Sequence, residues 1–98
     1  MGQKIIYGVI SAEGDKISGS GFKVERPSQG KYVIEFKDKF DSIPSVVVTF
    51  IGSEEGGKAS DNIANVSSSE SECTILSLDL PQGLLQNSAF NFIAVGKD

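Results

Sequence analysis

The chain has 98 residues, 39% of them hydrophobic, a net charge of −4 and no histidine. That length supports one domain around one core, residues 1–98, and excludes two ordinary domains. The single cysteine, Cys73, excludes an internal disulfide.

The nine basic residues are scattered and form no run able to follow a phosphate backbone. Nucleic acid and anionic membrane surfaces are therefore not expected partners. The opening MGQKIIYGVI has only a short apolar run, without the pattern of a signal peptide. Ile6 stands where a myristoylation motif needs Ser or Thr. No segment reaches the roughly 20 apolar residues of a membrane helix. The expectation is a soluble protein without membrane insertion, cytoplasmic or virion-associated.

Alternation with a period of two runs through the chain. Lys4 to Ile10 reads as a strand, as does Gly21 to Glu25. In KYVIEF, Lys31 to Phe36, Tyr32, Ile34 and Phe36 point one way, and Lys31, Val33 and Glu35 the other. One buried and one wet face mark an antiparallel sheet. SVVVTFI, Ser45 to Ile51, is apolar on both rows: Val46, Val48 and Phe50 on one, Val47, Thr49 and Ile51 on the other. It reads as a central strand, or as one whose outer face meets another subunit. Ile63 to Ser67 is a further strand. In CTILSLDL, Cys73 to Leu80, Thr74, Leu76, Leu78 and Leu80 form one row, and Cys73, Ile75, Ser77 and Asp79 the other. FNFIAVG, Phe90 to Gly96, closes the series with Phe90, Phe92 and Ala94 against Asn91, Ile93 and Val95. Two strands apolar on both sides exceed what one small sandwich can cover, which points to a subunit interface.

Turn sequences separate these runs: AEGD at 12–15, RPSQG at 26–30, DSIP at 41–44 and PQG at 81–83. All three prolines are assigned to these joints and none to a strand. GSEEGGKASDNIANV lacks an apolar stripe and reads as a long loop, and no segment reads as a helix. The fold class is all-β, a small antiparallel β-sandwich of six to eight strands.

Chemistry is sparse. Without histidine, the common triads are absent. Glu54 and Glu55 are neighbours in a glycine-rich loop, better explained as solvated than as a glycosidase pair. Cys73 reads as a small core residue, with a reactive thiol as the other reading. No transition-metal site and no cofactor are expected; structural calcium on Glu54, Glu55, Asp61 and Asn62 stays open, since calcium needs only oxygens. GSGF at 19–22 lacks a P-loop ending and reads as a tight turn with close backbone packing. Most of the six phenylalanines fall on inward rows. Tyr7 is equally open to solvent, an interface or a ligand.

The series GSGF, GKYVIEF, KFDSIPSVVVTF, NIANVSSSESECTI and FNFIAVG resembles the small β-sandwich module at the ends of phage-tail and collagen-like fibres, and is similar to the H-type lectin domain. The matching features are Phe40 with Pro44 in a Phe-x-x-x-Pro motif and the closing Phe92-Ile93-Ala94-Val95-Gly96, and the likeness spans about residues 19–96. The resemblance implies a six-stranded antiparallel sandwich that assembles as a trimer with sugar sites near subunit boundaries. Those lectins use a histidine, an arginine and an aspartate. Here histidine is missing, the one arginine, Arg26, is in an early turn, and Asn62-Ile63-Ala64-Asn65 occupies the region of the arginine-bearing strand. The loop before the last strand offers Gln82, Gln86 and Asn87 in place of the histidine. The functional expectation is a non-enzymatic module binding a glycan or cell-surface receptor through Asn62, Asn65, Gln86 and Asn87 as a homo-oligomer. The alternative is a structural assembly or fibre-capping trimerisation module with no small-molecule ligand.

Overall fold

The computed structural model describes residues 2–51, 63–79 and 83–98. It contains eight strands: β1 (Gln3–Ile10), β2 (Lys16–Gly19), β3 (Phe22–Ser28), β4 (Lys31–Phe36), β5 (Ser45–Phe50), β6 (Ile63–Ser68), β7 (Glu72–Leu78) and β8 (Phe90–Lys97). They form two four-stranded sheets, here sheet I in the order β2-β1-β8-β5 and sheet II in the order β3-β4-β7-β6. Every pairing is antiparallel. The chain is an all-β sandwich, and no helix occurs among the described residues.

The inward rows follow from the alternation. Ile6, Ile10, Phe90, Phe92 and Ala94 come from sheet I, and Phe22, Tyr32, Ile34, Phe36, Cys73 and Ile75 from sheet II. Each such large side chain contributes about 1.5–3 kcal/mol by leaving water. Aromatic rings meet edge to face across the layers: Phe22 on Phe92 and Tyr32 on Phe90, each with centroids 5.0 Å apart. In β7 the inward row is Cys73, Ile75 and Ser77, while Thr74, Leu76 and Leu78 are half-buried on the outside.

Two sequence expectations are corrected, and one strand is added that the alternation does not mark. Lys16 to Gly19 is a strand, β2, although all four of its residues are exposed. It forms because β1 offers it a partner, with Val9 opposite Ser18 and Gly8 opposite Gly19. Pro27 lies inside β3, not in a joint. β3 is an edge strand whose pairing with β4 slips between Glu25 and Ser28, where a missing N–H costs no regular ladder bond. β5 is an edge strand of sheet I, which removes the central-strand reading. The hydrophobic closing segment is the central one: β8 pairs with β1 along eight residues and with β5 along six.

Both ends of the sandwich are plugged. At one end Phe40 is fully buried against Phe36, ring centroids 5.1 Å apart. Lys4 crosses its ring at 4.6 Å and donates to the carbonyls of Asp38 and Lys39 at 2.7 and 2.9 Å. A Cβ on Gly96 would lie 2.8 Å from the Phe40 ring and 3.3 Å from Pro44, so the Phe-x-x-x-Pro motif packs on that glycine. At the other end the Tyr32 hydroxyl donates to Ala12 O at 2.7 Å and accepts from Ser88 N at 3.0 Å. GSGF behaves as a close-packed turn: Gly19 has φ +108°, and a Cβ there would fall 2.4 Å from the Tyr7 carbonyl.

Candidate functional site

The four residues expected to contact a ligand separate on folding. Asn62 lies outside the described residues. Asn65 is exposed on β6, opposite Leu76 of β7, which in turn faces Lys31 of β4. Gln86 and Asn87 sit in the strand-free segment before β8, against the β3–β4 turn. There the Gln86 N–H donates to Ser77 O at 3.0 Å. Asn87 Oδ1 accepts the Gly30 N–H at 2.7 Å, and Gln29 Nε2 donates to Leu85 O at 3.2 Å. Gly30 has φ +74°, and a Cβ on it would stand 2.7 Å from Gln86 N, so this contact requires glycine. Asn87 therefore holds a turn. Two strand spacings, about 10 Å, separate Asn65 from Lys31, the neighbour of Gly30. The structure groups Gln86 with Asn87 and leaves Asn65 on the open sheet surface.

Cys73 is core: it is 1% exposed, and burial first, then the Glu72 carboxylate, push its thiol up to about 12. At neutral pH it is a protonated thiol, and thiolate chemistry is closed to it. Burial also raises the pKa of Tyr32, partly offset by the Ser88 N–H on its oxygen. Glu54, Glu55, Asp61 and Asn62, the residues open to calcium, lie outside the described residues, as does Gln82. Among the described residues no cluster of three His, Cys, Asp or Glu side chains is arranged to hold a metal ion, and no helix is long and apolar enough to cross a membrane.

The outer faces of the two sheets differ in chemistry. On sheet II, Lys23, Glu35 and Glu72 stand in one cross-strand row, and Glu25, Val33, Thr74 and Ser67 in the next. Lys23, Glu25, Val33, Glu35 and Glu72 line a broad open hollow of about 610 Å³. Glu35 directly opposite Glu72 is a like-charge pair, mildly unfavourable in a sheet. On sheet I the corresponding rows are Ile5–Val95–Ser45 and Tyr7–Ile93–Val47, followed by Val9–Asn91–Thr49. Tyr7 is 62% exposed, Val47 63%, Ile5 55% and Ile93 49%. A shallow hollow of about 270 Å³ runs between the Tyr7–Ile93 and Val9–Asn91 pairs. The doubly apolar β5 and β8 pointed to this face; the same signal in IIYGVI, apolar on both alternations, extends it to β1.

Comparisons with protein-family models, with curated proteins and with solved structures return no match.

Proposed function

We propose that this domain is a non-enzymatic recognition module that engages a surface glycan or receptor as a symmetric trimer, weak equivalent sites being reinforced by avidity. The observation that carries this reading is the outer surface of β6 and β7. Asn65, Ser67 and Thr74 set amide and hydroxyl groups beside half-buried Leu76. Amides and hydroxyls both donate and accept, which suits a ligand made of hydroxyls. The apolar neighbour offers a surface for the C–H face of a sugar ring. Asn65 and Gln86 are assigned direct contact, and Asn87 the support of the Gln86 segment. The likeness to H-type lectins and fibre-end modules supplies the expectation of a trimer.

The test is a nitrogen-15 chemical-shift titration of the full chain with a panel of neutral and acidic oligosaccharides. Shifts should gather at Asn65, Thr74 and Gln86 and weaken in Asn65→Ala. An unresponsive β6–β7 surface across the panel overturns glycan recognition. The second reading, a purely structural assembly module, draws on the exposed apolar face of sheet I. It requires a stable oligomer that answers to no small ligand.

A further inference from the structure

We infer that the outer face of sheet I, with the edge strand β5 beside it, is the surface on which a second copy of this chain docks. The inference rests on the reading of the domain as a symmetric oligomer and assigns the face that joins its subunits.

Three observations lead to it. First, the face has the chemistry of an interface centre. Ile5, Tyr7, Val47 and Ile93 are together on three adjacent strands, half-buried Val9 and Val95 fill between them, and the outward positions of β1, β8 and β5 carry no charge before Lys97. Gln3, Ser45, Thr49 and Asn91 supply a polar rim. Apolar and aromatic centres without charge, rimmed by polar groups, characterise subunit contacts. Second, the size fits. Two strands of eight residues and one of six span roughly 14 by 20–27 Å, about 350 Å² in projection; side-chain relief and the polar rim bring the accessible area towards the roughly 800 Å² per partner of a standard interface.

Third, the two sides of the sandwich are guarded differently. On one side β2 lies beside β3, and both are edges. Their pairings slip at Val9/Ile10 and at Glu25/Ser28, and they bear Lys16, Lys23, Glu25, Arg26 and Pro27. Slips, charges and proline are the usual means of blocking edge pairing. On the other side β5 lies beside β6. SVVVTF and IANVSS hold no charge and no proline, their pairings are regular, and neither has a second partner strand among the described residues. The core is also less sealed here: Val46, Val48, Phe50 and Val66 on β5 and β6 are only partly buried, against Val24 alone on β3. The apolar face of sheet I runs out to this uncharged edge strand at Val47. A membrane occupant fits less well, because the face lacks the basic residues that draw a protein to anionic lipid.

The mass of the full chain in solution, by light scattering over a concentration series, tests the assignment. Wild type should give a multiple of 10.4 kDa. The double variant Val47→Lys/Ile93→Lys should self-associate at least ~100-fold more weakly, since two charges would lose their water in an apolar contact that offers them no partner. Val33→Lys, on the outer face of sheet II, should leave the mass unchanged. Circular dichroism confirms that each variant is folded. If the double variant does not fold, Val47→Thr, which keeps shape and strand preference, should weaken association about fivefold. An oligomeric wild type with unaffected sheet I variants overturns this face and leaves the oligomer standing. A wild type monomeric at all concentrations overturns both. A monomer that co-sediments with neutral phosphatidylcholine vesicles, and loses this in Val47→Lys, gives the face to a lipid surface instead.

Discussion

The outer faces of the two sheets start from the same backbone geometry and end as different surfaces. Along sheet I the central row reads Tyr7–Ile93–Val47; along sheet II its counterpart reads Lys23–Glu35–Glu72. Inward, both sheets obey one demand, an apolar row sealed from water, and both meet it with Phe, Ile and small residues. Outward, packing demands nothing, so the side chains there record what the surface is used for. A solvated face carries charge and tolerates even a Glu–Glu pair. An exposed apolar face is the usual mark of an interaction site, which is the ground for proposing sheet I as the subunit contact.

The comparison depends on both sheets sharing one core, and the largest effect comes from breaking it. Phe92→Ala on β8 empties a site 1% exposed, between Phe22 and the strands on either side. Loss of about 3–5 kcal/mol is expected in urea unfolding. A loss below about 1 kcal/mol would mean that the sheets are not packed as described. Next, the inward row of sheet II is read by pH. The folded state favours the neutral Cys73 thiol, with its pKa raised from 9.0 to about 12. The stability it contributes is present in full below the unfolded value and is lost as pH rises through this window. Urea midpoints should fall from about pH 9 upward, and less so in Cys73→Ala. A thiol reagent at neutral pH should label Cys73 only under unfolding conditions.

The smallest effect sharpens the contrast between the outer faces. Glu72→Lys replaces a like-charge pair with an opposite-charge pair across β4 and β7, and should stabilise the fold by about 0.2–1 kcal/mol. It should also ease the Cys73 thiol downward, because Glu72 is one of the groups that raise it. No change in either quantity would mean that the sheet II surface is too well solvated for its charges to interact.

Much of the sandwich was legible because burial writes itself into alternation. KYVIEF buries Tyr32, Ile34 and Phe36, and FNFIAVG buries Phe90, Phe92 and Ala94, along the rows their spacing predicts. β2 was not legible: KISG is exposed throughout and exists as a strand by pairing with β1. Pro27 was misplaced because a proline rule written for central strands does not bind at an edge slip. In β7 the leucines gave no clue to direction. The inward row is fixed by register with β4, where Ile34 meets Cys73 and Tyr32 meets Ile75. The amides were legible as polar loop residues, but their roles were not. Asn87 turned out to hold the Gly30 N–H, a contact between positions 57 residues apart.

By itself, then, the order of residues determined the class of fold, the identity of the closing strand as a core element, and the excess of apolar surface on β5 and β8. Each depends on a local period of two, and a strand's side chains alternate wherever it is placed. Only the tertiary structure decided which strands became edges, which apolar row stayed in water, and which amide was consumed in holding a turn. Those outcomes come from pairing between distant segments, and no local pattern carries the identity of a strand's neighbour.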